Sequence, residues 1–252
     1  MRLNIFTIVY NGQPYIEEHY LRLCESKTDW RWTIVFGRAL PQDDTSWCAG
    51  QIDDGDDGTL GYIQMLTSID ERVTVIAKTE WRSKVAMCNA ALETFDTPGL
   101  LLQIDADEVW TPQQFRLMPA LFDLYPTADF AQFACRVWVG PRRFVATDGA
   151  WGNQSYEWFR LWKWEPGRKF KTHEPPVMEG AKHYVLRSHT AQFGLVFDHY
   201  SYALRSQIEF KQKYYGAAWD ALAWDKLQTM HGPVQLQGLL PWVNSPVVSI
   251  ET

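Results

Sequence analysis

Apolar runs alternate with amphipathic stretches through the first half of the chain. Short runs rich in Val, Ile, Leu and aromatic residues predict buried strands at 3–10, 32–36, 73–77 and 100–104. Between and after them, apolar side chains recur every three or four positions, which predicts helices at 14–26, 60–69, 85–95 and 111–122. This alternation predicts an α/β fold with a mostly parallel central sheet flanked by helices.

Two loops of the predicted sheet carry polar residues at the ends of strands. Asn11 and Gly12 follow the first strand, and Asp105, Asp107 and Glu108 follow the fourth. Ligands of such sheets bind at the carboxyl ends of the strands. We therefore expect a binding site between these two loops.

The second half has a less regular pattern. It predicts strands at 130–139 and 158–164 and a helical C-terminal part with helices at 205–215 and 217–228. We expect the tail, PWVNSPVVSIET, to form a partly ordered strap. No internal repeat or linker interrupts the pattern, so we interpret residues 1–252 as a single domain.

Charge and composition narrow the class of protein. The formal net charge is −6, whereas a general nucleic-acid-binding protein needs a basic face to offset phosphate charge. No stretch approaches the roughly 20 consecutive apolar residues of a transmembrane segment. The four cysteines form no CxxC pair, and their spacings suit neither zinc nor a disulfide framework. We expect a soluble, reduced, cytoplasmic protein that binds no nucleic acid.

The acidic loop after the fourth strand has the chemistry of a cation site. Residues two apart in an extended loop point the same way, so the carboxylates of Asp105 and Asp107 can face one ligand. Two neighbouring carboxylates stay ionised together when a cation lies beside them. Carboxylate oxygens suit Mg²⁺ or Mn²⁺, which also bind diphosphates. The loop predicts a divalent cation that stabilises a diphosphate leaving group, with Glu108 in support.

Alternative interpretations of acidic pairs are open. Asp54 and Asp56 have the same spacing, but their polar loop favours a solvated acidic turn. An EF-hand at this loop fails because Gln64 or Met65 stands where the closing Glu is required. For the 105–107 pair the alternative is an acidic entry to the next helix.

Four blocks of the sequence resemble family 2 glycosyltransferases. FTIVYNGQPYIEEHY is similar to the family's first strand and helix, and WRSKVAMCNAAL with LLLQIDADEVWTPQQF is similar to the block leading into its DxD motif. EWFRLWKWEPGRKFKTHEPP resembles the acceptor-side strand pair that ends in His-Glu, and FDHYSYALRSQIEFKQKYYG resembles a His-containing C-terminal block. The resemblance covers most of residues 3–216 and implies a GT-A (Rossmann-like) fold.

The resemblance also implies roles for individual residues. It places Asn11, Gly12 and Lys84 in the nucleotide pocket, Asp105 near the ribose or diphosphate, and Asp107 on the metal ion. The nucleotide-binding half would be about 1–125 and the acceptor-side half about 126–252.

Later blocks supply further candidates. A third metal contact would come from a histidine, with His199 favoured over His173. Inverting transfer needs a carboxylate to take the acceptor proton, and the candidates are Glu174, which is preferred, and Glu157.

One segment departs from the family. Many of its members carry an acidic turn after the second strand, which helps to recognise the base. This chain has Gly37-Arg38-Ala39-Leu40 there, with Asp43 or Asp44 as substitutes.

The implied reaction is metal-dependent transfer of a sugar from a nucleoside-diphosphate sugar to a hydroxyl acceptor, a saccharide or a related compound, with inversion. A sugar nucleotidyltransferase is one alternative, but it needs a glycine-rich basic loop in place of Asn11-Gly12-Gln13-Pro14. A non-catalytic carbohydrate-binding protein is the other. The 13 tryptophans permit it and the acidic pair disfavours it.

Overall fold

The computed structural model describes residues 1–40, 57–147, 158–215 and 219–252. Within these ranges the strands are β1 (Leu3–Val9), β2 (Trp30–Ala39), β3 (Val73–Trp81), β4 (Gly99–Gln103), β5 (Glu108–Val109), β6 (Phe130–Gln132), β7 (Ala134–Gly140), β8 (Arg143–Thr147), β9 (Phe159–Trp164), β10 (Phe170–His173), β11 (Pro176–Met178), β12 (Tyr184–Val185), β13 (Val196–His199), β14 (Val234–Gln235) and β15 (Val248–Glu251). The helices are α1 (Ile16–Ser26), α2 (Thr59–Ile69), α3 (Lys84–Leu92), α4 (Pro112–Leu124), α5 (Arg187–Gln192), α6 (Arg205–Tyr215) and α7 (Ala221–Gln228).

The central sheet has the strand order β12-β6-β9-β4-β1-β2-β3 among the described residues. Strands β3, β2, β1 and β4 are parallel, and β9 pairs antiparallel with both β4 and β6. The parallel part comes from the first half of the chain, where strands and helices alternate. The predicted α/β fold with a mostly parallel sheet is confirmed.

The apolar run of β4 serves two hydrophobic cores. Leu100 and Leu102 pack into the core that includes Phe115 of α4, whereas Leu101 packs with Ala91 of α3 on the other face. Successive strand residues point to opposite faces, so a strand covered on both sides needs apolar residues at every position. Helix α4 begins after a capping box in which Thr111 accepts from the Gln114 amide.

A second sheet lies beside the acidic loop, with the order β14-β15-β8-β7-β13-β5 among the described residues. The single strand predicted at 130–139 is wrong in one respect. It divides at Phe133, whose amide donates to the carbonyl of Trp158, and its two parts join different sheets. The tail contributes β15, which pairs with β8.

The last helix, α7, begins at Ala221, because the Asp220 side chain accepts hydrogen bonds from two amides of its first turn.

No helix in the described ranges is both long enough and apolar enough to cross a membrane.

Candidate functional site

A cavity of about 570 Å³ opens at the carboxyl ends of β1, β2 and β4. Its wall contains all the described residues that the sequence singled out for the nucleotide, the metal ion or proton transfer: Asn11, Gly12, Lys84, Asp105, Asp107, His173, Glu174 and His199. Glu157 lies outside the described residues. The fold therefore brings together positions that are distant in sequence.

Gly12 is the point at which the loop after β1 meets the acidic loop. Its amide donates to Thr59 Oγ1 at 2.9 Å. A Cβ at this position would lie 2.7 Å from Val9 Cγ2 and 3.2 Å from Ala106 Cβ. Contacts this short require glycine, which lets the two loops approach each other closely.

Arg160 of β9 orients the acidic loop. Its Nη2 donates to Asp105 Oδ2 at 3.0 Å and to Glu108 Oε1 at 2.6 Å, and Gln103 Nε2 donates to Asp105 Oδ1 at 3.1 Å. Burial raises the pKa of Glu108, against the effect of the guanidinium. Burial also acts to raise the pKa of Asp105, but the charges of Arg160 and His173 and the hydrogen bond from Gln103 together outweigh it and lower that pKa. Asp105 therefore stays charged in a fixed orientation.

Asp107 faces His199 of β13. Asp107 Oδ1 lies 3.4 Å from His199 Nε2, and the Asp107 carbonyl accepts from the Tyr200 amide at 2.8 Å. Burial alone would raise the pKa of Asp107 and lower that of His199. Attraction between the two groups outweighs burial, so the pKa of Asp107 is lowered and that of His199 is raised.

This pair fits a divalent cation that shares its shell with a diphosphate. Within the described ranges, no three or more Asp, Glu, His or Cys side chains are grouped to hold a metal ion. Mg²⁺ is commonly held by one or two carboxylates together with substrate phosphates and water. Asp107 and His199 supply two such protein positions, and the cavity beside them has room for phosphates.

Glu174 follows β10 and is paired with Lys84, the first residue of α3. Glu174 Oε1 lies 2.5 Å from Lys84 Nζ and 3.4 Å from His173 Nδ1. Gln103 Nε2 in turn lies 3.2 Å from His173 Nε2. Burial acts to raise the pKa of Glu174, but the Lys84 ammonium and the His173 ring hold that pKa well below its usual range. The cavity thus contains an ionised carboxylate connected through Gln103 to Asp105.

Two residues that the sequence patterns did not single out belong to this site. Arg160 lies in a buried strand, and a charged residue at such a position needs a partner. Applied to the sequence, that rule is the signal that could have identified Arg160 as a residue with a buried acidic partner. Lys211 of α6 also lines the cavity, with its Nζ 5.2 Å from the centre of the Tyr202 ring. Burial lowers the pKa of Lys211, and the charge of Asp107 opposes that effect. In the sequence it resembles any lysine of a polar helix.

The end of β2 forms the wall where the family carries an acidic turn. Gly37 has a φ of 140°, and a bulge interrupts the pairing with β3 at this point. Arg38 lines the cavity and forms an ion pair with Glu80. Asp43 and Asp44, the expected substitutes, lie outside the described residues, as does the acidic pair at 54 and 56.

Comparison with a solved mannosyltransferase structure supports the fold. The mannosyltransferase PcManGT from Pyrobaculum calidifontis, solved with GDP-Man and Mn²⁺, has 17% sequence identity and a TM-score of 0.50. The match covers 91% of this chain and 64% of that chain. S. aureus TarS 1–349, solved with UDP-GlcNAc, has 15% identity and a TM-score of 0.38, covering 54% of this chain and 35% of that chain. The chain thus matches about a third to two thirds of the length of these structures.

Sequence comparison gives the family directly. No curated protein matches the chain. Residues 4–174, which extend from β1 to the Glu174 carboxylate, match the sequence model of Glycosyl transferase family 2. This span is more than half of the chain and includes the acidic loop and its partner Arg160. The resemblance to the family is confirmed, although the fourth block, 197–216, lies beyond the matched span, and the chain belongs to glycosyl transferase family 2.

Proposed function

We propose that the protein is a metal-dependent glycosyltransferase that moves a sugar from a nucleoside-diphosphate sugar to a hydroxyl acceptor with inversion. The observation that carries this proposal is the grouping of Asp105, Asp107 and His199 at the carboxyl end of β4. The same cavity holds Lys84 and an ionised Glu174, so it offers groups for both the donor and the acceptor.

The donor end is built on the acidic loop. Asp107 and His199 hold Mn²⁺ or Mg²⁺, which when bound neutralises the charge that develops on the departing diphosphate. Asp105, oriented by Arg160, faces the ribose or the diphosphate. Asn11 and Gly12 line the nucleotide pocket, and close packing at Gly12 fixes this loop against the acidic loop.

The acceptor end depends on Glu174. As the acceptor oxygen attacks the anomeric carbon and the diphosphate leaves, the carboxylate of Glu174 takes the hydroxyl proton. The ammonium of Lys84 keeps this carboxylate ionised and oriented before the acceptor arrives, against the effect of burial. The acceptor is a saccharide or a related hydroxyl compound.

The single-domain organisation, the cytoplasmic location and the absence of nucleic-acid binding stay predictions.

Isothermal titration calorimetry tests the donor end. We expect the wild-type protein to bind UDP or GDP in the presence of Mn²⁺ and to bind neither measurably without it. Asp107→Ala removes one of the two protein ligands, so the metal-dependent binding should be lost. The matched control is Asp123→Ala, which removes an exposed carboxylate of α4 and should leave binding unchanged.

Other outcomes point to the two alternatives. A folded Asp107→Ala variant that binds as the wild type does would contradict the metal role and favour a non-catalytic carbohydrate-binding protein. Release of pyrophosphate from a nucleoside triphosphate and a sugar phosphate would instead identify a nucleotidyltransferase.

A further inference from the structure

His19 is a buried polar residue that contacts the acidic loop from outside the cavity. It lies on α1 and is only 1% exposed. Its Nε2 is 3.0 Å from the carbonyl oxygen of Ala106, the residue between Asp105 and Asp107. A carbonyl only accepts hydrogen bonds, so Nε2 carries the proton and donates.

The surroundings of His19 fix both its charge and its orientation. Burial lowers the pKa of His19 to about 4, so the ring is neutral at physiological pH. The ring packs edge-on against Trp32 with 5.9 Å between centroids. Trp32 Nε1 in turn donates to Thr7 Oγ1 of β1 at 3.0 Å. A single neutral tautomer, held by the sheet, thus points one N–H at the loop.

The backbone carbonyls of Asp105, Ala106 and Asp107 all accept hydrogen bonds, but from different kinds of donor. The Asp105 carbonyl accepts from the Glu108 amide at 3.0 Å, and the Asp107 carbonyl accepts from the Tyr200 amide at 2.8 Å. The Ala106 carbonyl accepts from the side chain of His19. The middle peptide of the loop therefore depends on a side chain that a substitution can remove.

We propose that His19 is a positioning residue for the metal site: its N–H fixes the Ala106 peptide and so sets the relative orientation of the Asp105 and Asp107 carboxylates. This inference rests on the proposed function. Removing the donor lets the middle peptide rotate, and both flanking side chains move with it. Partners of this kind, one step removed from the metal, typically change metal affinity by about 10–100-fold when they are replaced.

Three variants separate positioning from general stability. His19→Phe keeps an aromatic ring against Trp32 but has no donor, and His19→Gln keeps an N–H group at a similar reach. Leu23→Ala is the matched control, because Leu23 lies on the same helix and is fully buried. Should His19→Phe fail to fold, His19→Asn replaces it, since its amide is too short to reach the loop.

The measurements are Mn²⁺-dependent binding of UDP or GDP by calorimetry, and Tm. We expect His19→Phe to weaken the metal-dependent binding by about ten-fold or more, and His19→Gln to restore it to within about three-fold of wild type. Leu23→Ala should lower Tm while binding as the wild type does.

Two results would overturn the role of His19. One is wild-type affinity in the variant that has no donor. The other is equal loss of affinity in the Gln variant and in Leu23→Ala. Absence of Mn²⁺-dependent binding in the wild-type protein would instead refute the proposed function, and the role of His19 with it. If the wild-type protein shows Mn²⁺-dependent binding and His19→Phe binds equally well, only the positioning role of His19 is refuted, and the proposed function stands.

Discussion

At the scale of single residues, Glu174 shows how opposing effects decide the charge of one group. Its burial favours the neutral acid, whereas the ammonium of Lys84 at 2.5 Å favours the carboxylate. The ammonium and His173 together outweigh burial, so the pKa is low. In the proposed function Glu174 is the general base, which must be deprotonated to act, and this ion pair keeps it deprotonated over the neutral and mildly acidic range.

Lys84→Met should therefore move the acidic limit of activity to higher pH. Without the ammonium, burial dominates and the pKa of Glu174 rises, so kcat begins to fall at a pH at least about one unit higher. The measurement is the pH dependence of kcat for nucleoside-diphosphate release from the donor sugar. Lys84→Arg keeps the charge and should keep the profile. An unchanged profile in Lys84→Met would assign the proton transfer to another carboxylate.

The positions of some site residues were predictable from sequence patterns, and those of others were not. Asp105 and Asp107 were predictable because a DxD sequence directly after a buried apolar strand lies at the edge where ligands bind. Arg160 lies 55 residues from its partner Asp105, and only its place in a buried strand hints at that contact. His19 gave no signal, because a histidine on an amphipathic helix is ordinarily a packed core residue.

At the scale of elements, the turn from α2 to β3 shows how ion pairing fixes a connection. The Asp70 carboxylate accepts from Arg72 Nη2 at 2.6 Å, from the Arg72 amide at 2.9 Å and from the Tyr20 hydroxyl of α1 at 3.1 Å. Hydrogen bonding to the Arg72 guanidinium lowers the pKa of Asp70 to about 2, against the opposing effect of burial. The turn thereby ties two helices and the edge strand together.

Asp70→Asn should destabilise the protein in a pH-dependent way. A carboxylate whose folded pKa is depressed contributes stability above its unfolded pKa of about 3.9 and loses it as pH falls through about 2. We expect the free energy of unfolding at pH 7 to fall by about 1–2 kcal/mol, with the difference between variant and wild type shrinking below about pH 4.

Urea unfolding at several pH values measures this difference. Glu71→Gln is the control, because it neutralises the neighbouring exposed carboxylate and should change stability by less than about 0.5 kcal/mol. A difference in Asp70→Asn that is constant from pH 7 to pH 2 would show that the hydrogen bonds, and not the charge, hold the turn.

Elements were predictable where periodicity alone determines them. Strands β1 to β4 and helices α1 to α4 follow from apolar runs and helical spacing, although β2 and β3 extend beyond the predicted 32–36 and 73–77, to Trp30–Ala39 and Val73–Trp81. The division of the 130–139 run was not predictable, because β6 and β7 are both apolar and only their tertiary partners differ. The two-residue strand β5 is too short to have a pattern, yet it pairs with β13 beside His199.

At the scale of the whole molecule, the site depends on both halves of the chain. The family match ends at residue 174, but His199 and Lys211 come from β13 and α6, beyond that limit. Strand β13 pairs with β5 immediately after the acidic loop, and the Tyr200 amide bonds the Asp107 carbonyl. In the proposed function the later segment is therefore part of the metal site, and residues of α6 line the same cavity.

Lys211 and Lys213 give a direct test of this arrangement. Both lie on α6, but Lys211 lines the cavity near Asp107, whereas Lys213 is exposed. We expect the Lys211 ammonium to contact the donor diphosphate in this cavity. Hydrogen bonds between charged groups contribute about 1.5–3 kcal/mol, so Lys211→Met should weaken Mn²⁺-dependent nucleoside-diphosphate binding roughly ten-fold or more.

Calorimetry on the two methionine variants separates a local contact from the general charge of the helix. Lys213→Met removes the same charge from the same helix and should bind as the wild type does. The nucleoside without phosphates should bind equally to all three proteins, because it lacks the group that Lys211 contacts. Equal weakening in both variants would indicate long-range charge attraction, and no weakening in either would place the diphosphate away from α6. Selective loss in Lys211→Met would show that the segment after residue 174 forms part of the donor site.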